Sequence, residues 1–108
     1  MNFRSEGSLD ELILKVEEWA VKRGLEKADS SKQMLKVVEE VGEVASALAR
    51  NKVDDLRDGI GDVIVTLIIL AQQQGLTVEE CLETAYDEIA DRKGKMVNGV
   101  FVKQSDLE

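Results

Sequence analysis

The segment KVVEEVGEVASALARNKVDDLRDGIGDVIVTLIIL, residues 36 to 70, places Glu39, Glu40, Glu43, Asp55, Asp58 and Asp62 in the most apolar part of the chain. An isolated charge taken out of water costs on the order of several kcal/mol. These carboxylates therefore either face solvent or gather around something positive. Two periodicities favour the second arrangement. Met34, Val37, Val38, Val41, Val44, Ala45 and Leu48 cover a wide arc of one helix, leaving Lys36, Glu40 and Glu43 on a narrow polar strip, and Asp55, Asp58 and Asp62 recur at helical intervals on the next. At about 100° per residue, Glu40 and Glu43 lie about 60° apart on their helix, and Asp58 and Asp62 about 40° apart on theirs. The short connection around Asn51 to Val53 makes the two helices antiparallel neighbours, so the stacked pairs face each other.

The rest of the chain reads as helix with the same clarity. Ser8 and Glu11 have capping-box spacing and open a helix that closes at Gly24, with Leu9, Leu12, Ile13, Val16, Trp19 and Ala20 as its apolar stripe. The second helix is expected from a cap at Ser30 to about Arg50, and the third from Asp54 or Asp55 to Gly75. The fourth is expected from a cap at Thr77, partnered by Glu80, to near Gly94. The run VIVTLIILA is rich in β-branched residues, but no turn signal separates it from DDLRDG before or QQQ after, which favours helix over strand. Asn98-Gly99 sits between two short apolar pieces and predicts a two-residue hairpin turn.

The 108 residues, 44% hydrophobic, without proline and only 4% aromatic, suit one all-α domain spanning residues 1–108. Val63 to Leu70 is apolar nearly all round, so both sides must be covered, and one four-helix subunit can hardly do that. The expected architecture is a four-helix bundle completed by homo-oligomerisation, as a dimer or a tetramer, with a short C-terminal hairpin or extended tail. A net charge of -8 argues against a nucleic-acid surface. The longest apolar run is too short to cross a bilayer and the start of the chain has no signal-peptide core, so no membrane partner and a cytoplasmic location are expected. Cys81, the single cysteine, leaves no disulfide framework and reads as core filler.

Without histidine, the usual zinc site and a Glu-x-x-His di-iron site are both excluded. All-oxygen ligation suits a hard divalent cation, Mg²⁺ first, with Mn²⁺ as a substitute.

VVEEVGEVASAL (37–48) followed by LRDGIGDVIVTLIIL (56–70) resembles the MazG-like all-α nucleoside triphosphate pyrophosphohydrolases, which carry an ExxE motif on one helix and an ExxD motif on the next. The likeness extends from about Trp19 through EIADRKGKMVNGVFVK. Glu40 and Glu43 match the first motif and Asp62 the end of the second, whereas Gly59 stands where the second motif has Glu. Asp58, one turn before Asp62, is the candidate replacement. The resemblance implies cleavage of a nucleoside triphosphate between the α and β phosphates to a monophosphate and pyrophosphate. Glu40, Glu43, Asp58 and Asp62 would be the metal ligands, with Glu39 or Glu40 orienting the attacking water. Phosphates also need cations from the protein: Lys36, and Arg92, Lys93 and Lys95 near the end of the fourth helix, are the candidates. Trp19 suits either stacking on the base or plain core. The alternative is a catalytically weak, nucleotide-binding regulatory oligomer in which the change at Gly59 has removed turnover.

Overall fold

A computed structural model describes residues 7–107. Helix α1 (Leu9–Lys22) leads through a 3₁₀ turn (Leu25–Lys27) into α2 (Ser30–Ala49), α3 (Val53–Gln73) and α4 (Val78–Ile89). Strands β1 (Gly94–Val97) and β2 (Val100–Lys103) form an antiparallel hairpin, and a single helical turn, α5 (Gln104–Leu107), follows. The expected helices are all present, and the β-branched run is the middle of α3.

The ends of the helices follow local chemistry. Ser8 caps α1, accepting from the Glu11 amide at 3.1 Å, and Thr77 caps α4, accepting from the Glu80 amide at 3.2 Å. The cap of α2 is Asp29, not Ser30: its carboxylate takes the Ser31 amide at 2.8 Å. That frees the Ser30 hydroxyl to donate to Gln73 Oε1 and to accept from Gln74 Nε2. Helix α3 starts one residue before the expected Asp54, and α4 ends at Ile89 rather than near Gly94. Gly94 instead opens β1, where a side chain would run into the Val102 carbonyl and the Phe101 ring. Asn98 and Gly99 both have positive φ, 51° and 81°, the left-handed pair that a two-residue hairpin turn requires.

The two helices of the acidic segment, α2 and α3, form the most extensive contact in the chain, and α1 lies along α3. The core between them is small: Ile13, Ala20, Val37, Ala47, Ile68, Ile69 and Ala71 are its buried apolar residues. Within one copy α3 is covered on one side only, since Ile68 and Ile69 are buried while Ile60, Ile64 and Leu67 remain exposed. Helix α4 touches the end of α3 and buries none of its residues, with Leu82, Tyr86 and Ile89 all exposed. The hairpin and α5 pack on each other, forming an arm beyond α4. Among the described residues no single helix is long and apolar enough to cross a membrane.

The QQQ run is a polar clamp at the C-terminal end of α3. Gln72 Nε2 donates to the Glu17 carbonyl of α1 at 3.2 Å, Gln73 Nε2 to the Leu25 carbonyl at 2.9 Å, and Gln74 Nε2 to Ser30 Oγ of α2 at 2.7 Å. Three consecutive side chains thus tie α3 to three preceding segments. Replacing Gln73 by Ala removes one of the two donors to the Leu25 carbonyl, which keeps its bond from the Ala28 amide, and leaves the Ser30 hydroxyl proton without its acceptor; unfolding in urea is expected to show a loss of about 1–2 kcal/mol. Lys32→Ala, on an exposed face of α2, is the control expected to change nothing.

Candidate active site

Helix α2 delivers Glu39, Glu40 and Glu43 to one place, where a carboxylate oxygen from each lies within 4.8 Å of the others. Glu39, set about 100° from Glu40 on an ideal helix, still reaches the group. Helix α3 presents Asp55, Asp58 and Asp62 to the same gap. Those three line a cavity of about 250 Å³ with Glu43, Ser46, Ala47, Gly59 and two cationic residues, Arg50 and Lys52. Glu43 belongs to both groups, and Glu40 feels the charge of Asp62 across the gap. The carboxylates of both helices therefore share one field.

That field is unfavourable as it stands. Burial pushes the Glu40 carboxyl up from its ordinary value, and the neighbouring charges of Glu43, Asp62 and Glu39 push it further. Glu40 is half-buried, and its Oε2 is shielded from solvent with no hydrogen-bond partner. A shielded acceptor without a donor, in a group of oxygens this close, fits a hard divalent cation. Among the described residues, Glu39, Glu40 and Glu43 are the acids whose oxygens come within reach of one ion; Asp62 acts on Glu40 through its charge across the gap, and Asp58, an exposed residue, lines the cavity.

Gly59 explains the spacing of the two helices. It is buried, and a Cβ there would stand 3.1 Å from Val44 Cγ2 of α2. Val44 is β-branched and stiff at χ1, so it yields little. A side chain at 59 would therefore require Val44 to give by a few tenths of an ångström.

The remaining sequence candidates separate. Trp19 is half-exposed and lies under the Arg23 guanidinium, 4.1 Å from the ring centroid, while Arg23 Nη1 donates to the Trp19 carbonyl at 3.0 Å. It lines an apolar groove of about 680 Å³ between α1 and α3, with Leu12, Lys15, Ile64 and, at one end, Asp62. Asp62 thus borders both the acidic cavity and the groove. Lys36 is exposed one turn before Glu40. Arg92 and Lys93 lie in the arm, beside Glu88, Asp91 and Lys103, and Lys95 is on β1 opposite Val102. Within one copy these three are not brought to the carboxylates. Cys81 is exposed, so it is not core filler in this chain alone. Arg50 and Lys52 are cavity residues that the sequence marks only as the break after α2; the signal is their position in the α2–α3 turn, where a side chain pointing inward meets the acidic strip.

Residues 29–97, about two thirds of the chain and the whole of α2, α3, α4 and β1, match the MazG nucleotide pyrophosphohydrolase domain. The chain belongs to the MazG nucleotide pyrophosphohydrolase family. It is also 46% identical over 66 residues to an uncharacterised 18.2 kDa protein from the rep-hol intergenic region of Haemophilus phage HP1 (strain HP1c1), a match over 60% of this chain and 40% of the phage protein. The matched stretch thus spans less than half the length of that relative. No solved structure matches. MazG proteins act on nucleotides and are generally dependent on divalent metal, which agrees with the donor set of this gap.

A carboxyl with a raised folded pKa keeps its proton in the folded state at pH values where the unfolded chain has released it. Stability then falls as pH rises from the unfolded value through the folded one. Glu17 contributes in the same direction, raised by burial and then by Glu79. In metal-free buffer, the stability difference between Glu40→Gln and wild type is expected to grow in favour of the variant as pH rises through that window. Denaturant titrations at several pH values read it, and Glu17's share remains in both proteins.

Proposed function

We propose that this protein is a Mg²⁺-dependent nucleoside triphosphate pyrophosphohydrolase, cleaving ribo- or deoxynucleoside triphosphates between the α and β phosphates and serving to remove or limit them. The observation that supports it most is the close group of Glu39, Glu40 and Glu43 on α2, in which Glu40 Oε2 lacks a partner and Glu40 feels the charge of Asp62 from α3. When bound, Mg²⁺ or Mn²⁺ supplies the positive charge that offsets both the carboxylates and the phosphates. Glu40, Glu43, Asp58 and Asp62 hold it.

Glu39 is exposed at the rim of the group, and so remains free to orient a water and take its proton as the oxygen attacks the α-phosphorus in line with the departing β-phosphate. The half-buried Glu40 is better suited to ligation than to this proton transfer. Lys36 approaches the phosphates from the preceding turn of α2. The base lies against Trp19 in the groove that begins at Asp62, which sets the α-phosphate at the junction of apolar groove and acidic cavity.

Arg92, Lys93 and Lys95 join such a site by way of a second copy. The exposed Leu82, Tyr86 and Ile89 of α4 and Ile60, Ile64 and Leu67 of α3 are the surfaces that a homodimer or homotetramer would cover. Light scattering is expected to give a mass at least twice the 12.0 kDa of the chain; a monomer at micromolar concentration would remove this route for the arm residues.

Glu43→Gln and Asp62→Asn are each expected to reduce Mg²⁺-dependent pyrophosphate release by at least roughly a hundredfold, with melting temperatures held or raised because a repelling charge is gone. A screen of the common ribo- and deoxynucleoside triphosphates reads both the activity and its base preference. Full activity in both variants would refute the assignment.

A further inference from the structure

The acidic cavity holds two positive charges that the carboxylates around it do not consume. Arg50 ends α2 and Lys52 precedes α3, and both line the cavity with Glu43, Asp55, Asp58 and Asp62. Among the described residues, the salt bridge that does form joins Arg57 to Asp54 at 2.8 Å, and neither Arg50 nor Lys52 makes one. The turn that carries them is well defined. Asn51 adopts a left-handed φ of 56°, the Arg50 amide donates to the Ser46 carbonyl, and the Lys52 amide donates to the Ala47 carbonyl, both at 3.1 Å. The backbone is pinned while the two long side chains stay unpaired, and no side chain caps the first turn of α3 beside them.

An arginine at the end of a helix ordinarily complements the helix dipole. That role does not account for Lys52, which lies at the start of the next helix, where a positive charge is unfavourable. It also does not account for the convergence of both residues on one cavity. The volume of about 250 Å³ falls below the ~300–1,000 Å³ of pockets that enclose a whole small ligand, so the cavity takes one part of the substrate. Its chemistry, acids at one side and unpaired cations at the turn, fits a polyphosphate chain carrying a divalent cation.

We propose that Arg50 and Lys52 bind the β- and γ-phosphates, the part of the substrate that leaves as pyrophosphate. The inference rests on the hydrolase reading above, and it fixes the direction of the substrate: the base in the α1–α3 groove, the α-phosphate at Asp62, and the terminal phosphates at the α2–α3 turn. In the reaction the water oxygen bonds to the α-phosphorus, its proton passes to Glu39, and the bond from the α-phosphorus to the bridging oxygen breaks. The electron pair stays on that oxygen, now part of the β-phosphate. The planar guanidinium of Arg50 can meet two phosphate oxygens at once, and Lys52 adds a point charge where negative charge accumulates.

The test is calorimetric titration of pyrophosphate in the presence of Mg²⁺ into the wild type, Lys52→Gln, Arg50→Lys and the double variant Arg50→Gln/Lys52→Gln, with nucleoside monophosphate as the second ligand. The double variant is expected to lose pyrophosphate affinity at least tenfold while binding monophosphate within twofold of wild type, and its KM for the triphosphate is expected to rise by a similar factor. Arg50→Lys should keep part of the affinity. If the double variant misfolds, Lys52→Gln alone, at an exposed position, carries the comparison and is expected to weaken pyrophosphate binding severalfold. Unchanged pyrophosphate affinity in the variants, equal loss for both ligands, or no pyrophosphate binding by the wild type would overturn the proposal. A wild type that binds pyrophosphate through these residues yet hydrolyses no nucleotide would support this site and refute the hydrolase reading.

Discussion

Repulsion between carboxylates held on two adjoining helices is the constraint around which this structure is organised. A three-residue connection turns α2 back along α3, and the close approach of Gly59 to Val44 keeps the helices near each other. Glu43, Asp62 and Glu39 crowd Glu40, whose carboxyl is held above its ordinary value by burial first and then by their charges. The cation proposed to lie between the helices would convert that penalty into binding energy. The same packing that stores the repulsion keeps the site open for a ligand able to relieve it.

The rest of the architecture serves the approach of α2 to α3. The glutamine clamp holds the far end of α3 to α1, the 3₁₀ turn and α2 through side chains rather than apolar burial, which is fitting for a chain with so few buried apolar residues. Helix α4 and the hairpin arm lean on little of their own chain. Their exposed apolar residues and the uncovered face of α3 are the surfaces that the proposed second copy would cover.

The helices and the hairpin were legible because local chemistry dictates them: a hydroxyl at Ser8 and Thr77, Asn98-Gly99 at a turn, and a 3.6-residue apolar period elsewhere. Ser30 misled because two adjacent residues, Asp29 and Ser30, can both cap a helix, and only the distant Gln73 and Gln74 decide which one does. Helix α4 was read five residues too long, since nothing before Gly94 in sequence signals that Phe101 will pack across it. The carboxylates were found through their period, but Arg50 and Lys52 were not. Their relation to the acids depends on the path of the turn, which a helical wheel does not contain. The separation of the arm from the carboxylates is likewise a tertiary fact with no local trace.

The most direct test of the account is a ¹³C NMR titration of the Glu40 side-chain carboxyl with and without Mg²⁺. Without the ion, Glu40 is expected to titrate above the ordinary glutamate range, and with saturating Mg²⁺ its midpoint is expected to drop to or below that range. A Glu40 that titrates normally and ignores Mg²⁺ would contradict the claim that the two helices hold their carboxylates around a shared cation.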